Sequence, residues 1–179
     1  MLAVGAFEFG NLAATLLILR ATELFDPRRS HDSAVQLALV LYTAYNLAAT
    51  VASIPAGRIA DRYGNTRVLA TGAALFAIAY LGLALTGASF IALGACFLAA
   101  GIAIGCAETA EHAAVANLAP EGLRGSAFGL LAALQSAGNL AASAIAGALW
   151  TLISPTAAFL YAAAWMLLAL TGLIISRAR

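Results

Sequence analysis

Six stretches of about 20 largely apolar residues, separated by short polar reversals, leave this chain few ways to fold. A helix rises about 1.5 Å per residue, so some 20 apolar residues cross the hydrocarbon of a bilayer. By hydropathy the segments cover residues 2–20, 34–54, 68–85, 90–112, 126–153 and 156–176. The polar turn ELFDPRRSHDS closes the first, and Pro55 with Gly57 closes the second. Asn117 to Gly122 break the chain after the fourth, and Ser154-Pro155 makes a very short reversal before the sixth. With 63% hydrophobic and 9% charged residues and a mean hydropathy of +0.94, a water-soluble domain is excluded. The expectation is an all-α membrane protein, one six-helix transmembrane bundle over residues 1–179. A formal net charge of +1 gives no case for a nucleic-acid partner. No basic segment precedes the first apolar run, so no cleavable signal peptide is expected.

The stretch from Pro55 to Arg67, PAGRIADRYGNTR, sets three arginines and an aspartate between two apolar runs. Hydrocarbon cannot hold that charge density, so the spacing predicts a tight water-facing loop. Gly57 and Gly64 allow close packing and a positive φ where the chain reverses. Asp61 can cap a neighbouring helix end, and the arginines can pair with it or with lipid phosphate. The plainer alternative is a solvated turn held inside by its positive charge. With a cytoplasmic N-terminus, Arg58, Arg62, Arg67, Arg124, Arg177 and Arg179 fall on the inner side. Arg20, Arg28 and Arg29 fall on the outer side, which favours both termini inside. Cys96 and Cys106 lie on one predicted helix, about 15 Å apart, too far for a disulfide.

Polar residues inside the spans are costly and usually face a cavity or another helix. Glu8, Asn11 and Thr15 share one face of the first helix, and Tyr42, Asn46 and Thr50 one face of the second. Glu108, Glu111 and His112 mark the fourth; Gln135, Asn139 and Ser143 mark the fifth. The third and sixth interiors carry no charged or amide residue. Glu8 reads either as a substrate or proton site or as a packed, protonated carboxyl. Glu108 lies about 27 Å along its helix from Phe90, near the inner interface. There, with Glu111 and His112, it is expected to be hydrated and to act in a gate, at a different depth from Glu8. Asn46, Gln135 and Asn139 fit interhelical hydrogen bonds equally well. Gly101-x-x-x-Gly105 and Gly125-x-x-x-Gly129 read as helix-packing faces. No enzyme signature or cofactor motif occurs, and neither His31 nor His112 has metal-ligand spacing with a cysteine.

Gly57-Arg58-Ile59-Ala60-Asp61-Arg62-Tyr63-Gly64, with Arg67 following, resembles the loop signature G-x-L-x-D-R-x-G-R-K/R of the major facilitator superfamily. Ile59 stands at a usual leucine, and Asn65-Thr66 near the usual basic pair. Glu108-Thr-Ala-Glu111-His112 and the run from Ala116 to Gly129 are similar to the segment between helices ten and eleven of many bacterial members. There His112 replaces a basic residue and Asn117 an aspartate. Leu17 to Ala21 resembles the end of helix seven. The resemblance covers nearly the whole chain and matches helices seven to twelve of a twelve-helix fold, built as two three-helix inverted repeats.

The resemblance implies that helices one, two, four and five of this half line a central pathway, and that three and six are scaffold. It implies secondary transport of a small solute by alternating access, with proton coupling through Glu8 and with export as the direction. The pathway residues would be Glu8, Asn11, Thr15, Tyr42, Asn46, Gln135 and Asn139. The cytoplasmic gate would comprise Gly57, Arg58, Asp61, Arg62, Gly64, Arg67, Glu108, Glu111, His112 and Arg124. Asp61 would latch the helix start at Gly125 to Phe128. One half encloses no pathway, so the expected partners are the bilayer, a small solute, a proton, and a second six-helix half or a second copy. The setting would be a bacterial inner membrane. The competing class is a non-transporting scaffold or an inactive half.

Overall fold

The computed structural model describes residues 2–177, and no strand occurs among the described residues. Arg179, counted above on the inner side, lies outside the described residues. Helix α1 runs Leu2–Gly10, α2 Ala14–Phe25, α3 His31–Tyr63 and α4 Asn65–Leu85. Then come α5 Phe90–Leu118, α6 Arg124–Leu152 and α7 Pro155–Arg177, with 3-10 turns at Asp26–Arg28 and Glu121–Leu123. Helices α3 to α7 each have the length and hydropathy to cross a membrane. The first apolar segment is broken. Its pieces are about 14 and 18 Å long, each short of the roughly 30 Å of hydrocarbon.

Capping explains most helix ends. Ser30 accepts from the Ser33 N–H and starts α3 three residues before the apolar run. Ser89 does the same for α5 through Ala92. Ser154 Oγ accepts from Ala157 N–H, and Pro155 opens α7 where no N–H is needed. The predicted loop at Pro55 is instead helix: α3 continues through Pro55 to Tyr63. Proline in a membrane helix is tolerated where neighbouring groups re-satisfy the freed carbonyl. The whole reversal falls on Gly64, which has φ 89° and is the only described residue with positive φ. Helix α5 likewise runs to Leu118, six residues beyond the predicted end at His112.

Helix α4 sits in the middle, packed between α5 and α7. Helix α5 carries α3 on its other side, α7 also receives α1 and α6, and α2 lies on α3. The centre is an aromatic stack. Phe76 and Tyr80 of α4 lie 5.3 Å apart, Phe7 of α1 meets Phe76 at 5.9 Å, and Phe159 of α7 meets Tyr80 at 6.1 Å. All four rings are fully buried.

Gly101 and Gly105 let α5 press onto the backbone of α3: an added Cβ would collide with the carbonyl of Tyr45 or of Ala49. Gly125 and Gly129 have nothing within 4 Å of an added Cβ, so they are not a packing face within this bundle. Gly105→Val is therefore expected to cost at least the roughly 1–3 kcal/mol of ordinary overpacking, because backbone cannot step aside. Gly129→Val should cost little. Thermal unfolding of both variants in detergent checks the contrast, and equal midpoints would remove the argument.

Candidate functional site

The break between α1 and α2 is held by side chains of other helices. Gly10 lies tight against Ala162 and Trp165 of α7. The Asn11 N–H still reaches the Glu8 carbonyl at 3.2 Å. The next two amides turn outward. Leu12 N–H donates to Tyr80 Oη of α4 at 3.3 Å, and Ala13 N–H to Ser143 Oγ of α6 at 2.9 Å. Asn139 Nδ2, also on α6, donates to the Asn11 carbonyl at 2.9 Å. An orphaned backbone group in hydrocarbon costs several kcal/mol, so these three side chains are what make a broken helix tolerable there. Asn139 and Ser143 are thus interhelical ties.

Beside the break two carboxyl groups face each other, Glu8 of α1 and Glu111 of α5. Glu8 is 8% exposed and Glu111 6%. Glu8 lies directly on Gly138 of α6, where any Cβ would strike it. Gln135 Nε2 donates to Glu111 Oε2 at 2.6 Å. Glu8 Oε2 and Glu111 Oε1 are buried without a hydrogen-bond partner. This corrects the expectation that Glu111 is hydrated and lies away from Glu8. Glu8 is about 9 Å along α1 from Leu2, and Glu111 about 10 Å back from Leu118, measured from the same end of the bundle. Because α5 is longer than predicted, the two carboxyls share a depth. Glu108 and His112 are exposed; His112 Nδ1 donates to the Glu108 carbonyl at 2.7 Å and its ring stacks on Phe128 at 5.8 Å.

Glu111 borders an open cavity of about 520 Å³, walled by the break, α3, α5 and α6, while Glu8 faces Glu111 without lining the cavity. Asn11, Glu108, Glu111, Gln135 and Asn139 line it, as does Ser143. The other predicted pathway residues, Glu8, Thr15, Tyr42 and Asn46, do not. Thr15 is exposed on α2 because the break turns it off the face of Glu8. Asn46 is exposed and bonds back to the Tyr42 carbonyl at 2.8 Å, and Tyr42 stacks on Tyr45 at 5.8 Å. Tyr45 itself lines the cavity. Sequence reasoning passed over Tyr45 and Tyr80. Both are tyrosines in otherwise apolar helical faces, and a hydroxyl in a span needs a partner.

The sequence profile of the Major Facilitator Superfamily matches residues 1–179. The chain belongs to that superfamily. A relative from Methanocaldococcus jannaschii, described as an uncharacterized MFS-type transporter, is 34% identical over 171 residues. The alignment covers 94% of this chain and 41% of the relative, so the chain spans about two fifths of that protein's length. Membership makes this an integral membrane protein of a transporter family, not an enzyme class.

In this superfamily member the signature residues occupy the α3–α4 junction. Arg62 and Arg67 both lie over the Tyr63 ring, their guanidinium carbons 5.2 and 5.4 Å from its centre. Arg58, Asp61, Gly64 and Arg124 are exposed, while Gly57 is half-buried near Thr109 of α5. Among the described residues Asp61 forms no hydrogen bond or ion pair with Gly125 to Phe128. Helix α3 continues past it, so Asp61 rides on an exposed helical face instead of a loop free to swing.

Proposed function

We propose that this chain is one half of a secondary transporter that works by alternating access with a second six-helix bundle. In this reading the open cavity is one wall of the solute pathway, and Glu8 carries a proton in coupled export. The two inverted repeats are the broken first span with α3 and α4, and α5 to α7. Both termini are cytoplasmic, with Arg58, Arg62, Arg67 and Arg124 on the inner side of a bacterial inner membrane. Asp61 engages a helix start only in one of the two access states. The observation that carries the reading is Glu8: a buried carboxyl beside a broken helix, facing Glu111, which lines an open cavity.

Glu8→Gln keeps the shape and removes the titrating group. In vesicles holding the full assembly it should leave solute exchange near the parent rate. Accumulation driven by an imposed pH gradient should fall at least tenfold. Unchanged accumulation would reduce Glu8 to a packing residue.

A further inference from the structure

We infer that a second, apolar cleft, between α4, α5, α6 and α7, binds a small amphiphile with an apolar body and an anionic head, taken up from the aqueous side. Such a site would serve a scaffold as well as a transporter.

The cleft measures about 470 Å³, within the roughly 300–1,000 Å³ usual for small-molecule sites. Leu69, Val115, Leu118, Leu131, Leu134 and Leu173 make most of its wall. Its back is firm, since Leu69, Ala110 and Leu173 are buried. Its front is open: Leu118, Leu130 and Leu134 are exposed. Helices α5 and α6 are joined by a short turn yet pack only lightly on each other, which leaves the gap. Along α5 it runs from Glu111 to Ala119, about 12 Å. A protein partner buries about 800 Å² a side, more than a gap of that length presents.

Depth separates a dissolved amphiphile from a membrane lipid. Leu69, Glu111, Leu134 and Leu173 lie about 24 to 31 Å from the far ends of their helices. Leu85, Leu152 and Ile153 at that far end are apolar and exposed, which holds it at the edge of the hydrocarbon. With a core of about 30 Å, the cleft begins where the opposite edge of the hydrocarbon ends and continues outward. A phospholipid keeps its chains inside that edge. An apolar surface facing water beyond it is costly to leave bare.

Charge sets the sign of the head. Asn65 and Thr66 line the cleft at its outer end, and Arg67 follows them on α4. Arg124 opens α6 one turn before Ala127, another lining residue. Both arginines are exposed, and among the described residues neither forms an ion pair. Asp61 and Glu121 lie at the same end of the bundle but are outnumbered there by Arg58, Arg62, Arg67 and Arg124. Helices α4 and α6 also start at this end without a side-chain cap, so their first N–H groups are free for an oxygen acceptor. The lining has one ionisable residue, Glu111, at the deep end. It repels an anionic head, which therefore turns outward to the arginines while the apolar body lies among the leucines.

The test places the full assembly in phosphatidylcholine nanodiscs and measures radiolabelled octanoate by equilibrium dialysis, with protein-free discs as the blank. Binding should saturate at one octanoate per chain and weaken as salt is raised. Octyltrimethylammonium and octanol, which share the tail, should bind at least tenfold more weakly. Leu131→Trp, which fills the cleft, should weaken octanoate at least tenfold. Arg124→Gln should weaken octanoate about threefold and leave octanol unchanged. On the unsubstituted protein, a diazirine-bearing octanoate should label residues 110–119 and 127–134, and excess octanoate should block the label. That mapping decides the matter even if a variant fails to fold. Uptake no greater than in empty discs, label confined to other helices, or equal affinity for the cationic or neutral probe overturns the inference. So does a phospholipid that stays bound to the same peptides through purification and is not displaced by octanoate.

Discussion

Extracted in mild detergent, the chain is expected to be recovered with a second six-helix bundle, and to transport nothing without one. The reason lies along α6. Leu130, Leu134 and Leu140 are 62%, 59% and 72% exposed, and lipid alone could cover them. Between them on the same helix stand Gln135, Ser136 and Asn139, which line the open cavity with Asn11 and Glu108. Gln135 and Asn139 each donate one bond within the bundle, but hydrocarbon offers none to their amide oxygens or to Ser136, at a cost of several kcal/mol for each group left unsatisfied. A facing bundle can supply partners or enclose water. Native mass spectrometry in mild detergent gives the stoichiometry, and reconstitution of the separated species gives the activity. A lone bundle that moves solute in vesicles would end the proposal.

Much of the fold was legible because bilayer thickness acts on the chain as a ruler. Five of the six apolar runs correspond to single helices long enough to cross a membrane, with most ends within a few residues, and the Ser154-Pro155 reversal lies where proline chemistry puts it. The misses have two physical sources. Charge in PAGRIADRYGNTR suits a loop, yet water-exposed helix carries charge equally well, and only Gly64 leaves the helical region. The break at Asn11 to Ala13 had no local signal, since its cause is long-range. Tyr80, Asn139 and Ser143 arrive from 68 to 130 residues away to take the freed backbone groups.

The candidate site shows the same split. Of the residues that polar spacing nominates, Asn11, Glu111, Gln135 and Asn139 line one cavity, and Glu8 faces Glu111 beside it. Helical periodicity also nominated Thr15, on the assumption of an unbroken first helix, and the break carries it away. Burial of Glu111 against Glu8 depended on two features that no spacing within one helix reports. One is Gly138, which leaves room for Glu8, and the other is the added length of α5.

The ties at the break make a second large effect expected. In Asn139→Leu with Ser143→Ala, the Asn11 carbonyl and the Ala13 N–H both lose their α6 partners. An orphaned buried group costs about 1–3 kcal/mol, although single interhelical bonds in membranes average nearer 0.6 kcal/mol because the chain finds other partners. Here another partner is close: residues 11–13 can wind into helix and bond to their own preceding turn. That winding would join α1 to α2 and rotate Glu8 off Gly138 and away from Glu111. Function should therefore suffer more than stability. The double variant is expected to lower the unfolding midpoint in detergent by several degrees, and to cut pH-driven accumulation in vesicles at least tenfold. Thr50→Val provides the contrast, since Thr50 is exposed and bonds only to the Asn46 carbonyl of its own helix. A double variant that melts and accumulates like the parent would mean that packing around Gly10 holds the break open unaided.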